Sequence, residues 1–185
     1  MNKHIYFIFI LAIIFCSLNA TEFVANGTFD ITTAWSWARI DGNGGWRSSG
    51  GNPGGYFIIN EGGAASTDPT LWQTITGLTI GLQYSVSGDF MMAHGSPATN
   101  AFGVQIGSNL WEYSITTTSW TSFFETFTAT TSTVDLILTG ERNGTDTDPG
   151  VDNISIQNIT PPVPEPATLI LLVLSGLLCV VYKRR

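Results

Sequence analysis

Thr133-Val134-Asp135-Leu136-Ile137-Leu138-Thr139 repeats its apolar residues every second position: Val134, Leu136 and Leu138 fall on one side and Asp135 on the other. Successive side chains of a strand point to opposite faces, so this is the pattern of a strand with one face on a core. Just upstream, Ser122–Ala129 behaves the same way. Phe123 and Phe127 flank Glu125 on one side, with Phe124 and Thr126 opposite. Similar runs rich in Thr, Val, Ile and aromatic residues occur at Gly55–Asn60, Leu71–Thr76, Leu82–Ser87, Ala101–Ile106, Leu110–Ile115 and Val151–Gln157. Gly and Asn separate them, and no amphipathic helix is visible. Eight or nine short strands in one domain predict an all-β jelly-roll sandwich. Asp41 to Gly55 reads as a glycine-rich loop carrying Trp46 and Arg47, and no internal repeat is present.

The two ends of the chain have a different character and are set apart from the fold. Lys3 and His4 precede the apolar run Ile5 to Phe15, and Leu18-Asn19-Ala20 offers a small residue for cleavage. Residues 1–20 are therefore expected to be a secretory signal peptide. At the other end, residues 161–166 form a Pro-rich linker, followed by the uncharged run Ala167 to Tyr182 and then Lys183-Arg184-Arg185. As a helix that run would be about 24 Å long at ~1.5 Å per residue. This is slightly short for a ~30 Å hydrocarbon core, and snorkelling or local thinning covers the deficit. Pro164 and Pro166 stop the helix upstream. The cations resist crossing, so residues 167–185 are expected to be a transmembrane helix with a cytoplasmic basic stop, and the bulk of the chain lies on the far side.

Pro164-Glu165-Pro166, one hydrophobic helix and the basic triplet Lys183, Arg184, Arg185, in that order, resemble the PEP-CTERM sorting signal of Gram-negative bacteria. The resemblance implies an exosortase as partner, the membrane as a transient anchor, and delivery through the inner membrane to the cell surface or an extracellular matrix. Such tails are joined to many unrelated domains, so the resemblance is silent about residues 21–160.

Composition narrows what that domain does. Both cysteines, Cys16 and Cys179, fall in the terminal segments, so no disulfide is available and the core or a bound metal must hold the fold. Between Thr21 and Thr160 thirteen Asp and Glu face only Arg39, Arg47 and Arg142, with no lysine. That charge argues against nucleic acid or anionic lipid as a partner.

Phe23-Val24-Ala25-Asn26-Gly27-Thr28-Phe29-Asp30 opens the domain and Val151-Asp152-Asn153-Ile154-Ser155-Ile156 closes it, with Gly81–Ser87 and Trp120–Ala129 between. In this order the segments resemble the galactose-binding-like jelly rolls that include many carbohydrate-binding modules. The resemblance implies a structural Ca2+ joining the first strand to the last, with Asp30 and Asp152 as ligands. The family often has Glu at the first position, and Asp is one methylene shorter. Strand parity adds that Asp152 shares a face with Ile154 and Ile156, where a carboxylate needs a partner such as a hard cation. If the strand starts late, Asp152 is simply solvated. Asp146-Thr147-Asp148-Pro149-Gly150 departs from the EF-hand pattern and reads as a turn before the last strand.

A glycan binder needs aromatic faces on which sugar rings stack. The candidates are Trp46 in the glycine-rich loop, Trp35 (two residues from Trp37, so on the same face) and Trp111 (on the same face as Tyr113). Most tryptophans of a sandwich belong to its core. An enzyme finds little support: His94 is the domain's only histidine and sits in a stretch that reads as loop, and no G-x-S-x-G, H-E-x-x-H or P-loop occurs. The expectation is an exported, non-enzymatic protein that binds carbohydrate. A structural matrix component without a specific ligand and a secreted glycan-active hydrolase are the alternatives.

Overall fold

A computed structural model describes residues 20–38, 40, 44–60, 68–142 and 145–159. The expected signal peptide, the Pro-Glu-Pro linker, the expected transmembrane helix and the basic triplet lie outside the described residues, apart from Ala20. Among the described residues every regular element is a strand: β1 (Ser36–Ala38), β2 (Gly45–Gly51), β3 (Gly54–Ile58), β4 (Thr70–Thr76), β5 (Gln83–Gly95), β6 (Ala98–Ile106), β7 (Asn109–Ile115), β8 (Thr121–Thr128), β9 (Thr133–Thr139) and β10 (Thr147–Asn158). They form two five-stranded sheets, ordered β1-β4-β9-β6-β7 and β2-β3-β10-β5-β8. All pairings are antiparallel.

The alternation quoted at the outset builds the middle of the first sheet. Leu136 and Leu138 of β9 are fully buried, and Leu138 lies between Leu71 of β4 and Val104 of β6. Phe90, Phe102, Tyr113 and Phe123 come from β5, β6, β7 and β8, and their ring centroids lie 5.3 to 6.4 Å apart. This aromatic cluster joins the two sheets with no covalent crosslink. The opening segment is fastened to the closing strand directly. Glu22 bridges Gln157 and its carboxylate accepts from Ile156 N at 3.0 Å and Ser155 Oγ at 2.5 Å, while Ile154 N donates to Gly27 O at 2.9 Å.

Four strands depart from expectation. β1 was not foreseen, and β5 runs on to Gly95, beyond the expected end at Ser87. The stretch expected as a loop contains a strand: Gly45–Gly51 is β2, paired with β3 through a tight turn at Asn52–Pro53, whose peptide bond is cis. Its glycines lower strand propensity, but they admit close contacts that side chains would block. β10 likewise starts at Thr147, earlier than expected, so all of the segment read as a turn except Asp146 is strand.

Candidate functional site

A β-bulge decides where the closing carboxylate points. The β10–β5 register shifts between Asp152 and Ser155, and Asn153 has φ +53°. The inserted residue breaks parity. Val151, Ile154 and Ile156 all enter the core, while Asp152 lies opposite Asp89 across the strand pair. The expected sharing of a face between Asp152, Ile154 and Ile156 is therefore corrected. Asp152 is nonetheless fully buried, because the β2–β3 turn covers it. Asn52 N donates to Asp152 Oδ2 at 2.5 Å and Asn153 N to Oδ1 at 2.7 Å. Asp89 beside it accepts from Ser122 Oγ at 2.6 Å, Asn153 Nδ2 at 2.8 Å and Asn52 Nδ2 at 3.1 Å.

Asp30 reaches the same turn from the opening segment. A methyl group at Gly54 would lie 3.1 Å from Asp30 Oδ1, and one at Gly51 would lie 2.7 Å from Asp152 Oδ2. The two carboxylates expected to be ligands thus converge on one hairpin, joined by a third, Asp89, which sequence reasoning missed. Among the described residues no three His, Cys, Asp or Glu side chains are grouped to hold a metal ion unaided. A methyl at Gly51 would also fall 2.0 Å from Gly55 O. Gly51→Ala must therefore push the backbone off Asp152, and a loss of about 2 kcal/mol or more in denaturant melts is expected.

Burial pushes the Asp152 carboxyl above the ordinary carboxylate range, the N–H groups of Asn52 and Asn153 pull it back, and the charges of Asp89 and Asp30 push it up again. A raised carboxyl in the folded state makes the protonated form the better folder. Its contribution is complete below the unfolded value and is lost as pH rises through the folded one. In chelator, wild-type stability relative to Asp152→Asn is therefore expected to fall from acid towards neutral pH. Parallel melting-temperature profiles for the two proteins would contradict this.

The tryptophans occupy three different settings. Trp35 is buried, stacked on Phe29 at 5.3 Å, and donates Nε1–H to Asn26 O at 3.1 Å. Trp46 pairs with Phe57, packs against the core and donates Nε1–H to Phe29 O at 2.6 Å. Trp111 and Tyr113 do share a face, but it is the inner one, opposite Val104 and Phe102. All three rings named as stacking platforms are thus engaged by the core. Trp35, Trp37 and Trp46 do meet in one depression with Phe29, Ile31 and Phe57, but its water-accessible space is about 10 Å³, scarcely one water.

Aromatic surface appears instead on the outer face of the β2-β3-β10-β5-β8 sheet. Trp46 and Phe57 pair on the inner face, so Arg47 and Tyr56, the next pair, point outward. Tyr56 packs edge-to-face against Trp120 at 5.7 Å, both half-buried. A methyl at Gly150 would lie 3.2 Å from both Met91 Cε and the Tyr56 ring, so the bare glycine makes room for this tyrosine. Phe124, 65% exposed, lies on the same face opposite Ser87. The clue in the sequence is Tyr56-Phe57-Ile58-Ile59, apolar on both faces, which requires either a cover or a platform on its outer side.

His94 is in β5 rather than a loop, paired with Asp148 of β10, its Nδ1 3.5 Å from Asp148 Oδ2.

Comparison with known proteins adds two findings. Residues 162–185 match the PEP-CTERM protein-sorting motif. No curated protein matches the chain. Among solved structures, similarity extends to the CBM22-1 xylan-binding domain of Paenibacillus barcinonensis Xyn10C, with TM-score 0.53 and 14% identity over 72% of this chain and 92% of that one. A putative sugar binding protein from Bacteroides thetaiotaomicron gives TM-score 0.57 and 12% identity over 75% of this chain and 100% of that one. The CBM22-1–GH10 modules of Clostridium thermocellum Xyn10B, complexed with xylohexaose, give 0.52 and 16% over 76% of this chain and 28% of that one. At such identities the likeness is one of fold. The chain thus carries a PEP-CTERM sorting motif and a jelly-roll sandwich of the kind found in carbohydrate-binding modules, and the motif marks it as an exported protein associated with the cell envelope.

Proposed function

We propose that this is a non-enzymatic polysaccharide-binding protein, passed by an exosortase to the cell surface or extracellular matrix, and that sugar rings stack on the outer face of the β2-β3-β10-β5-β8 sheet. The observation that carries the reading is the half-buried Tyr56–Trp120 pair, held at right angles on the outer sheet face. Arg47 and Ser122 lie on the same face and carry hydrogen-bonding groups, as a sugar site requires. The full chain in detergent, run through gels containing neutral polysaccharides such as xylan, glucans or the producing cell's own matrix polymer, is expected to be retarded by at least one. Unchanged mobility in all of them would leave a purely structural matrix role.

The oxygen donors of Asp30 and Asp152 suit Ca2+, a hard cation that prefers carboxylate and carbonyl ligands. Three carboxylates around one covered turn also concentrate negative charge there. Bound calcium would supply the neutralising charge and tie the opening segment to the closing strand. Chelation is expected to lower the melting temperature by several degrees, and Asp152→Ala to abolish the difference. Identical melting curves with and without chelator would remove calcium from this account.

A further inference from the structure

The structure assigns a second cation site, separate from Asp30 and Asp152, to the buried pair Asn60 and Asp148. Asn60 follows β3 and is 7% exposed; Asp148 is the second residue of β10 and is 3% exposed. Asn60 Nδ2 donates to Asp148 Oδ2, and that one bond makes the two groups immediate neighbours. The remaining oxygens, Asn60 Oδ1 and Asp148 Oδ1, are both sealed from solvent, and among the described residues neither has a hydrogen-bond partner. Both are acceptors, so turning the side chains cannot let one satisfy the other.

A buried, unmatched oxygen costs about 1–3 kcal/mol, and more when it carries charge. Two such atoms on hydrogen-bonded neighbours, one of them on a carboxylate, call for an electron-poor partner. The donor set is all oxygen, one charged and one amide, which suits a hard cation completed by water better than a soft metal. His94 Nδ1 stands 3.5 Å from the other carboxylate oxygen, and its half-exposed ring marks the solvent side. With only two protein donors the site is weak, in the ~10⁻⁴–10⁻³ M range of extracellular calcium modules.

Equilibrium dialysis of the full chain in detergent with calcium chloride alone tests the assignment. Asp148→Asn keeps the shape and removes the charge, so it is expected to bind one calcium fewer than wild type. Asp152→Asn is expected to retain the Asp148 calcium. Should the site at Asp30 and Asp152 not exist, Asp152→Asn equals wild type while Asp148→Asn still loses its ion, so the two assignments fail separately. Asn60→Asp supplies a second carboxylate and is expected to bind calcium at least tenfold more tightly at this site. Equal calcium binding by wild type, Asp148→Asn and Asn60→Asp would overturn the proposal and leave the two oxygens to buried water.

Discussion

Phe102→Ala is expected to cost about 3–5 kcal/mol, the usual loss for emptying a phenylalanine from a tight core. Phe102 is fully buried on β6, with Phe90 at 5.3 Å, Tyr113 at 6.0 Å and Phe123 at 6.1 Å. Phe90 and Phe123 belong to the opposite sheet, so the substitution hollows out the contact between sheets rather than one strand's edge. The domain has no disulfide to limit the damage. At about 3 °C per kcal/mol for a domain of this size, the melting temperature should fall by roughly 10–15 °C. Phe124→Ala is the control: its ring is largely exposed, and a change within about 0.5 kcal/mol is expected. Equal melting temperatures for the two variants would mean that the sheets are not joined through this cluster.

The second large effect concerns ligand. Tyr56→Ala and Trp120→Ala are each expected to weaken polysaccharide binding by about 2 kcal/mol, roughly thirtyfold, the range of an aromatic anchor at the centre of an interface. Neither ring is in the sandwich core, so the melting temperature should move far less than with Phe102→Ala. Trp111→Ala should do the opposite, lowering stability while leaving the folded protein's affinity unchanged, because Trp111 faces inward. Affinity electrophoresis beside melting curves separates the two. A binding loss confined to Trp111→Ala would place the ligand elsewhere.

The contrast between these residues shows what the sequence made legible. Strands with strict alternation were readable to within a residue or two, because burial of one face imposes a period of two: β9 was expected at Thr133–Thr139 and lies there. β2 was hidden because its pairing relies on glycines at close approaches, and glycine in a sequence ordinarily signals a turn. For Asp152 the sequence left burial and solvation open; the structure buries it, but on the face opposite to the one expected, since a bulge at Asn153 leaves no trace in parity. Trp46, Trp35 and Trp111, expected as platforms, all pack against the core. Whether a tryptophan is core or platform depends on which side of its strand meets the second sheet, a nonlocal fact. His94 and Asp148 were lost for the same reason: their meeting depends on the long β5–β10 pairing, which begins where the sequence reads as turn.

That pairing has a consequence for export. β10 sits in the interior of its sheet, between β3 and β5, yet is the last strand to be synthesised among the described residues. Until residues 147–158 emerge, β3 and β5 have no partner between them, and Glu22 lacks the neighbours that fasten the opening segment. The second sheet therefore cannot close until the residues of β10 are in place, and folding has to wait for them. Such late closure favours export in an extended state, in keeping with the sorting motif.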